Sequence, residues 1–230
     1  VNFNSTLYIN NNKTLTLQAG SNLNFNNNSY IVINGTLTAV GTSTSRITMP
    51  GATKGSWPGL SFSSTQNGSI LRYCNIRNAS YAVFINNCSP TVEYCFIDDA
   101  DIDGIYITGS SSYPIIDGNY IEADDACIVH HNGGNGYLTA NSLRNATYGV
   151  YIISGSPRYD YYSFGRNIFE SSITTDKVNI AAGQPWFGKY QYFYAPASTT
   201  YNYIRNNSSS SVDAQYNYWT GGTSAVYFSG

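Results

Sequence analysis

The nonapeptide LRYCNIRNA, Leu71 to Ala79, returns in altered form as VEYCFIDDA, IDGNYIEAD, LTANSLRNA and FGRNIFESS, and later as TYNYIRNN. In the five full copies an apolar residue is followed three positions later by asparagine or cysteine, and two positions after that by another apolar residue. A second series runs in phase with the first. GLSF at Gly59, AVFI at Ala82, GIYI at Gly104, CIVH at Cys127 and GVYI at Gly149 begin 23, 22, 23 and 22 residues apart, each apolar at alternate positions. That alternation is the period of a strand. No segment keeps a 3.6-residue apolar period over three turns, so helices do not compete.

Strands this short cannot hide their own apolar faces, and repeats that cannot fold alone must stack. The spacing predicts an all-β parallel solenoid of roughly nine coils of about 22–24 residues, each coil holding three short strands. One domain, 1–230, accounts for the chain, with an aromatic-rich insertion at 181–200 inside the coil series. Cys74, Cys95, Asn119, Asn141, Asn167 and Asn202 fall at one corner of successive coils, where stacked amides can satisfy one another and the bend. Cys74 and Cys95 read either as stacked buried thiols or as a disulfide. Three positions further on, Arg77, Asp98, Glu122, Arg144, Glu170 and Arg205 form a column whose sign alternates from Glu122, a solvated ion-pair ladder.

The segments LTLQAGSNLNF, INGTLTAVGT and ITMPG followed by GSWPGLSF, the repeated YC-x-I and N-x-I corners, and the terminal VDAQYNYWTGG resemble a right-handed parallel β-helix. The likeness covers nearly the whole chain and is to the pectate-lyase-like solenoids of secreted and surface proteins of prokaryotes. It implies architecture; the same coil carries lyases, glycosidases, adhesins, phage spikes and structural proteins.

Charge narrows the function classes. Only 10% of residues are charged and the net charge is −2, which leaves no basic face for nucleic acid. Polarity comes instead from 27 Asn and 48 Ser plus Thr. No apolar run reaches the length of a membrane span, and no leader-type segment is read at Val1. Glycosylation sequons begin at Asn4, Asn12, Asn27, Asn34, Asn67, Asn78, Asn87, Asn145, Asn206 and Asn207. They suit an extracellular or cell-surface glycoprotein, or arise by accident in a chain this rich in Asn, Ser and Thr.

Catalysis on a polysaccharide needs paired carboxylates, often with a cation. The weak candidates are Asp98, Asp124, Asp125 and Arg144, from acidic turns in consecutive coils. Asp99, Asp101 and Asp103 match the opening of a calcium loop, D-x-D-x-D-G, a weak candidate because the twelfth position is Ser110 and no helices flank it; an Asp-rich turn is the plainer reading, and no other cofactor is expected. The two histidines are adjacent, and alternation turns His130 inward, in line with Ile107 and Ile152. The outward positions Phe84, Tyr106 and Tyr151 can form an aromatic strip for sugars or a mere packing column. Trp186, Phe187, Tyr190 and Tyr192, in the insertion, are candidate contacts with a glycan or partner. Strand-like segments open the sequence, LYI from Leu7, and close it, SAVYFSG, so the ends can pair with further copies. The reading is therefore an extracellular, non-catalytic structural or adhesive protein that self-associates end to end. The alternative is a polysaccharide-binding or polysaccharide-degrading β-helix.

Overall fold

A computed structural model describes residues 1–63, 68–159, 166–188, 191–194, 202–212, 217–220 and 228–229. Three parallel sheets run along the molecule. The longest holds ten strands in chain order: Leu7–Ile9, Ile31–Ile33, Leu60–Phe62, Tyr81–Asn86, Asp103–Thr108, Ala126–His131, Tyr148–Ile152, Asp176–Ile180, Asn202–Asn206 and Phe228–Ser229. An eight-stranded sheet runs from Ile47–Pro50 to Tyr218–Trp219, and a six-stranded one from Thr14–Leu17 to Tyr137–Thr139. One winding visits the three in turn, as Tyr81–Asn86, Thr91–Glu93 and Phe96–Ala100 do. The chain makes about eight turns at a spacing near 23 residues, slightly fewer than the repeat count suggests. Among the described residues there is no helix, and so none long and apolar enough to cross a membrane.

Stacking turns the sequence period into vertical files. Leu60, Val83, Ile105, Ile128, Val150, Val178 and Ile204 are Cα partners in succession, all fully buried. Aromatic stacks close both ends of the interior: Phe25 lies 4.2 Å from Trp57, and Phe193 lies 4.5 Å from Phe169 and 4.3 Å from Trp219. Interdigitated apolar files of this kind supply the burial that no single coil has.

The corner file is present where the repeat puts it, between the six-stranded and eight-stranded sheets. Each amide there uses both of its N–H bonds. Asn141 Nδ2 donates to Ile116 O at 2.8 Å and to Asn167 Oδ1 at 2.9 Å, while its own Oδ1 accepts the backbone N–H and the side chain of Asn119, both at 3.0 Å. Asn119 and Asn167 repeat the pattern on Val92 O and Leu138 O. Cys74 and Cys95 are free buried thiols that point at the matching carbonyls, Ala39 O and Leu71 O, at 3.5 and 3.6 Å. The residue before the corner bends left-handed in four of these coils: Tyr73 (φ 50°), Tyr94 (53°), Gly118 (64°) and Ala140 (55°).

Beyond Asn167 the sequence reading needs correction. Asn202 is not on the corner: it lies in the ten-stranded sheet opposite Asp176. Gln191 holds the place instead, accepting from Asn167 at 2.8 Å, and Asn217 follows, accepting the Gln191 N–H at 2.7 Å. The motif TYNYIRNN has the right composition on the wrong side of the winding. By the same token, 181–200 is not an insertion throughout: Gln191 supplies a corner, and Tyr192–Phe193 is a regular strand of the eight-stranded sheet. Arg205 likewise leaves the charge column and pairs with Asp176, 3.0 Å away. Of the terminal SAVYFSG only Phe228–Ser229 is described, paired beside Ile204 and Arg205.

Candidate functional site

The outward face of the ten-stranded sheet carries the file Val32, Ser61, Phe84, Tyr106, Val129, Tyr151, each the Cα partner of the next. Alternation along each strand turns these side chains away from the apolar interior. Phe84 and Tyr106 stack at 5.4 Å with an interplanar angle of 9°. Tyr81 stands edge-on to both, at 6.4 and 5.8 Å. Val129 then breaks the aromatic run, so Tyr151 packs against Tyr148 instead, 5.1 Å away.

Beside this file lies a groove of about 650 Å³ spanning five consecutive coils, from Tyr30 to His131 and Asn132. Its walls are Tyr30, Tyr81, Phe84 and Tyr106; Ser61, Asn86, Thr108 and Asn132 add hydroxyls and amides. Among the described residues that line it, none is Asp, Glu, Lys or Arg. Gly59 makes the floor possible: at φ +105°, a Cβ there would stand 1.8 Å from Tyr81 O, so only glycine lets the coils close up. The Tyr106 hydroxyl and His131 Nδ1 are 2.5 Å apart. Burial raises the pKa of Tyr81 and of Tyr106, and the Asp103 carboxylate adds to it, so both phenols keep their protons as donors.

Asp103 itself is buried at the head of its strand. Its Oδ1 accepts the Ala126 N–H at 3.0 Å, and burial pushes its pKa up to about 7. His130 is fully buried in the inward file beside Ile107 and Ile152. No hydrogen bond of standard geometry reaches either ring nitrogen, and burial lowers its pKa to about 4; the backbone near Gly134 and Asn135 offsets part of that.

The sequence-predicted acid–base residues are not gathered into one site. Arg144 pairs with Glu122 at 2.7 Å and lies over the Tyr120 ring. Arg77 Nε is 3.0 Å from Asp98 Oδ1, and burial raises the Asp98 pKa more than Arg77 lowers it. Asp124 is bound to Lys54. Burial raises the pKa of Asp125. The proposed calcium ligands diverge: Asp99 meets Arg77 at 3.3 Å, Asp101 faces Gly55, and Asp103 is committed to Ala126. A bulge between Ile97 and Ala100, with Asp99 left-handed, separates what a calcium loop would curl together. Among the described residues no three His, Cys, Asp or Glu side chains are placed to hold a metal ion.

The second aromatic cluster disperses too. Phe187 is 2% exposed, stacked on Tyr159 at 4.4 Å, so it is core and not contact surface. Trp186 is 42% exposed under the Arg158 guanidinium, and Tyr192 stacks on Tyr218 while accepting from Arg166 at 2.8 Å. Tyr190 lies outside the described residues, as does Asn67. Of the other sequons Asn4, Asn12, Asn27, Asn87, Asn145 and Asn207 are exposed, and Asn34, Asn78 and Asn206 half-buried. Asn12, Asn78, Asn87 and Asn145 hold left-handed turn positions, a backbone reason for asparagine independent of any sugar. Tyr30, Tyr81, Asn86, Thr108, His131 and Asn132 are polar or aromatic groove residues that sequence reasoning missed, and Ser61 was legible as an outward position but not as a contact. The signal was there for Ser61, the one small residue in the outward file.

Residues 52–169, just over half of the chain and all but the Tyr30 edge of the groove, match the family described as the right-handed β-helix region. No curated protein matches the chain. On its repeat, its three parallel sheets and this match, the chain belongs to the right-handed β-helix family.

Proposed function

We propose that the protein binds an uncharged glycan in the groove of the ten-stranded sheet, as a non-catalytic module acting outside the cell. The observation that carries this reading is the lining: aromatic rings and protonated phenols interleaved with amides and hydroxyls, and no charged side chain. Sugars present apolar C–H faces and hydroxyl edges, and this mixture complements both. An acidic polysaccharide would bring carboxylates into a site with no cation to meet them. The carboxylates elsewhere are held by Arg77, Lys54 and backbone, which favours binding over turnover.

Titration calorimetry with cellotetraose and tetragalacturonate tests it. The expected result is saturable binding of cellotetraose, with a dissociation constant below about 1 mM, and none of tetragalacturonate. Preference for tetragalacturonate, or release of shortened products from either, overturns the reading. End-to-end self-association is a second reading, favoured by one observation: Leu7–Ile9 and Thr14–Leu17 each pair on one side only among the described residues, with Tyr8 59% exposed beside them. Sedimentation across a hundredfold concentration range tests that, and a constant monomer overturns it.

A further inference from the structure

On the groove side the aromatic file ends at Phe84, and the space beyond it has the shape of a ring. Phe84 and Tyr106 lie parallel, so their planes cross the coil axis and each covers one face of the other. The flat strip of outward faces that the sequence suggests is therefore mostly covered. One face stays open. Phe84's second face looks toward the preceding coil, where its Cα partner is Ser61, a side chain of two heavy atoms. The coil before that contributes Val32 at the same position. Two strand spacings, roughly 9–10 Å, separate Val32 from Phe84 along the file, and Ser61 fills little of the interval.

We infer that this gap is a slot for a single sugar ring, which lies against the free face of Phe84 above Ser61 and completes the aromatic file. The inference rests on the glycan reading of the groove and specifies how that glycan is held. A ring at van der Waals distance from its neighbours, about 3.5–4.0 Å on each side, fits the interval. Tyr81 stands edge-on to Phe84, and Tyr30 and Pro58 line the same part of the groove as Ser61. Ser61 and Asn86 offer polar groups at the rim; Asn86 Oδ1 already accepts from Asn87 at 3.0 Å, which leaves its amide hydrogens to donate. A ring held face-on to phenylalanine must have an apolar face, and no charge in the lining compensates an ionised substituent. The class selected is an uncharged pyranose whose hydroxyls are equatorial, as in glucose.

Ser61→Phe tests the inference by filling the slot with protein. The added ring extends the Phe84–Tyr106 stack, so the melting temperature is expected to hold or rise while affinity for cellotetraose falls at least tenfold. Phe84→Leu, which keeps volume and removes the flat face, should lower affinity at least fivefold and provides the same readout should Ser61→Phe fail to fold. Tyr151→Ala, on the same file beyond Val129, should leave affinity unchanged. If the wild type binds cellotetraose and Ser61→Phe and Phe84→Leu bind it equally well, the slot is wrong and the groove reading stands. If the wild type binds no neutral oligosaccharide, the groove reading itself fails. Wild-type binding of phenol or indole in place of the sugar, competing at Phe84, overturns the assignment of ligand class.

Discussion

At the corner of the coil, Asn119, Asn141, Asn167 and Gln191 stand in consecutive windings, and each buried amide finds its partners in the windings above and below. In the inward file of the ten-stranded sheet, Ile85, Ile107, His130, Ile152 and Ile180 also stand in consecutive windings, and the one polar member has no partner in the file and no hydrogen bond of standard geometry to either ring nitrogen. Both places are dry. The difference is company: in stacked coils the neighbours of a side chain lie one repeat away, so a polar group inside is satisfied when the repeat is polar too. A ladder also strengthens itself, since each amide polarised by one bond makes the next bond better. An isolated imidazole carries a cost of desolvation that the backbone near Gly134 and Asn135 offsets only in part.

Removing the centre of the ladder is the severest test of that contrast. Asn141→Leu strips an acceptor from Asn119 N and Nδ2 and a donor from Ile116 O and Asn167 Oδ1, leaving four buried groups short of a partner. At about 1–3 kcal/mol for each orphaned group, the loss should be around 5 kcal/mol, read from the midpoint of urea unfolding. A loss under about 1 kcal/mol would mean that the file is packing alone.

Asp103 is the next isolated case, since its neighbours one winding away are Tyr81 and Ala126. Its pKa, raised from 3.8 to about 7 in the folded protein, sets the sign. Between those values the folded state holds a proton that the unfolded chain has released, so stability falls as pH rises through this window and stays low above it. Asp103→Asn keeps the oxygen that accepts from Ala126 and cannot ionise. It should stabilise on the order of 3 kcal/mol at pH 8 and change little at pH 4. Thermal melts at the two pH values measure the difference.

His130 runs the opposite way. Its folded pKa lies near 4 against 6.5 unfolded, so below pH 6.5 the unfolded chain takes up the proton first, and stability is lost as pH falls toward 4. His130→Ile makes the file continuous isoleucine from Ile85 to Ile180. The gain should be larger at pH 5 than at pH 7 by about 2 kcal/mol, with part of the benefit present at both because two unpaired nitrogens are gone. Equal gains at the two pH values would show the ring to be partnered and its proton affinity ordinary.

The same contrast explains what could be read from the residues alone. Fold and corner were legible because stacking converts a one-dimensional period into contacts: Cys74, Cys95, Asn119, Asn141 and Asn167 needed only their spacing. Legibility stopped where the residue type changed. The steps from Asn167 to Gln191 and on to Asn217, 24 and 26 residues, recur earlier between Cys95 and Asn119 and between Asn141 and Asn167, but glutamine breaks the expected type and the look-alike at Asn202 competes. In the groove, alternation showed which side chains face out. It could not show that Phe84 and Tyr106 would turn their faces along the axis, since that depends on rotamers set by neighbours one coil away. Nor did it show that the hydroxyl of Tyr106 would meet His131, two residues past its own file.

The smallest effect concerns the seam where thiols give way to amides. Cys95 N already donates to Asn119 Oδ1 at 2.9 Å, so the amide file reaches one winding into the cysteine region and stops. The Cys95 thiol points at Leu71 O from 3.6 Å, where Asn119 reaches the equivalent Val92 O at 2.8 Å. Cys95→Asn should bring a donor to Leu71 O and give Asn119 Oδ1 its second hydrogen, a gain of about 1 kcal/mol against the added volume. On the ladder argument, Cys74→Asn alone should gain nothing, because Cys95 above it offers no amide oxygen; added to Cys95→Asn it should gain again. A double-mutant cycle reads this as a coupling of about 0.5–1 kcal/mol between two positions one coil apart. Additive effects would mean that each corner is satisfied by its own bend, and that the file owes its amides to the local turn.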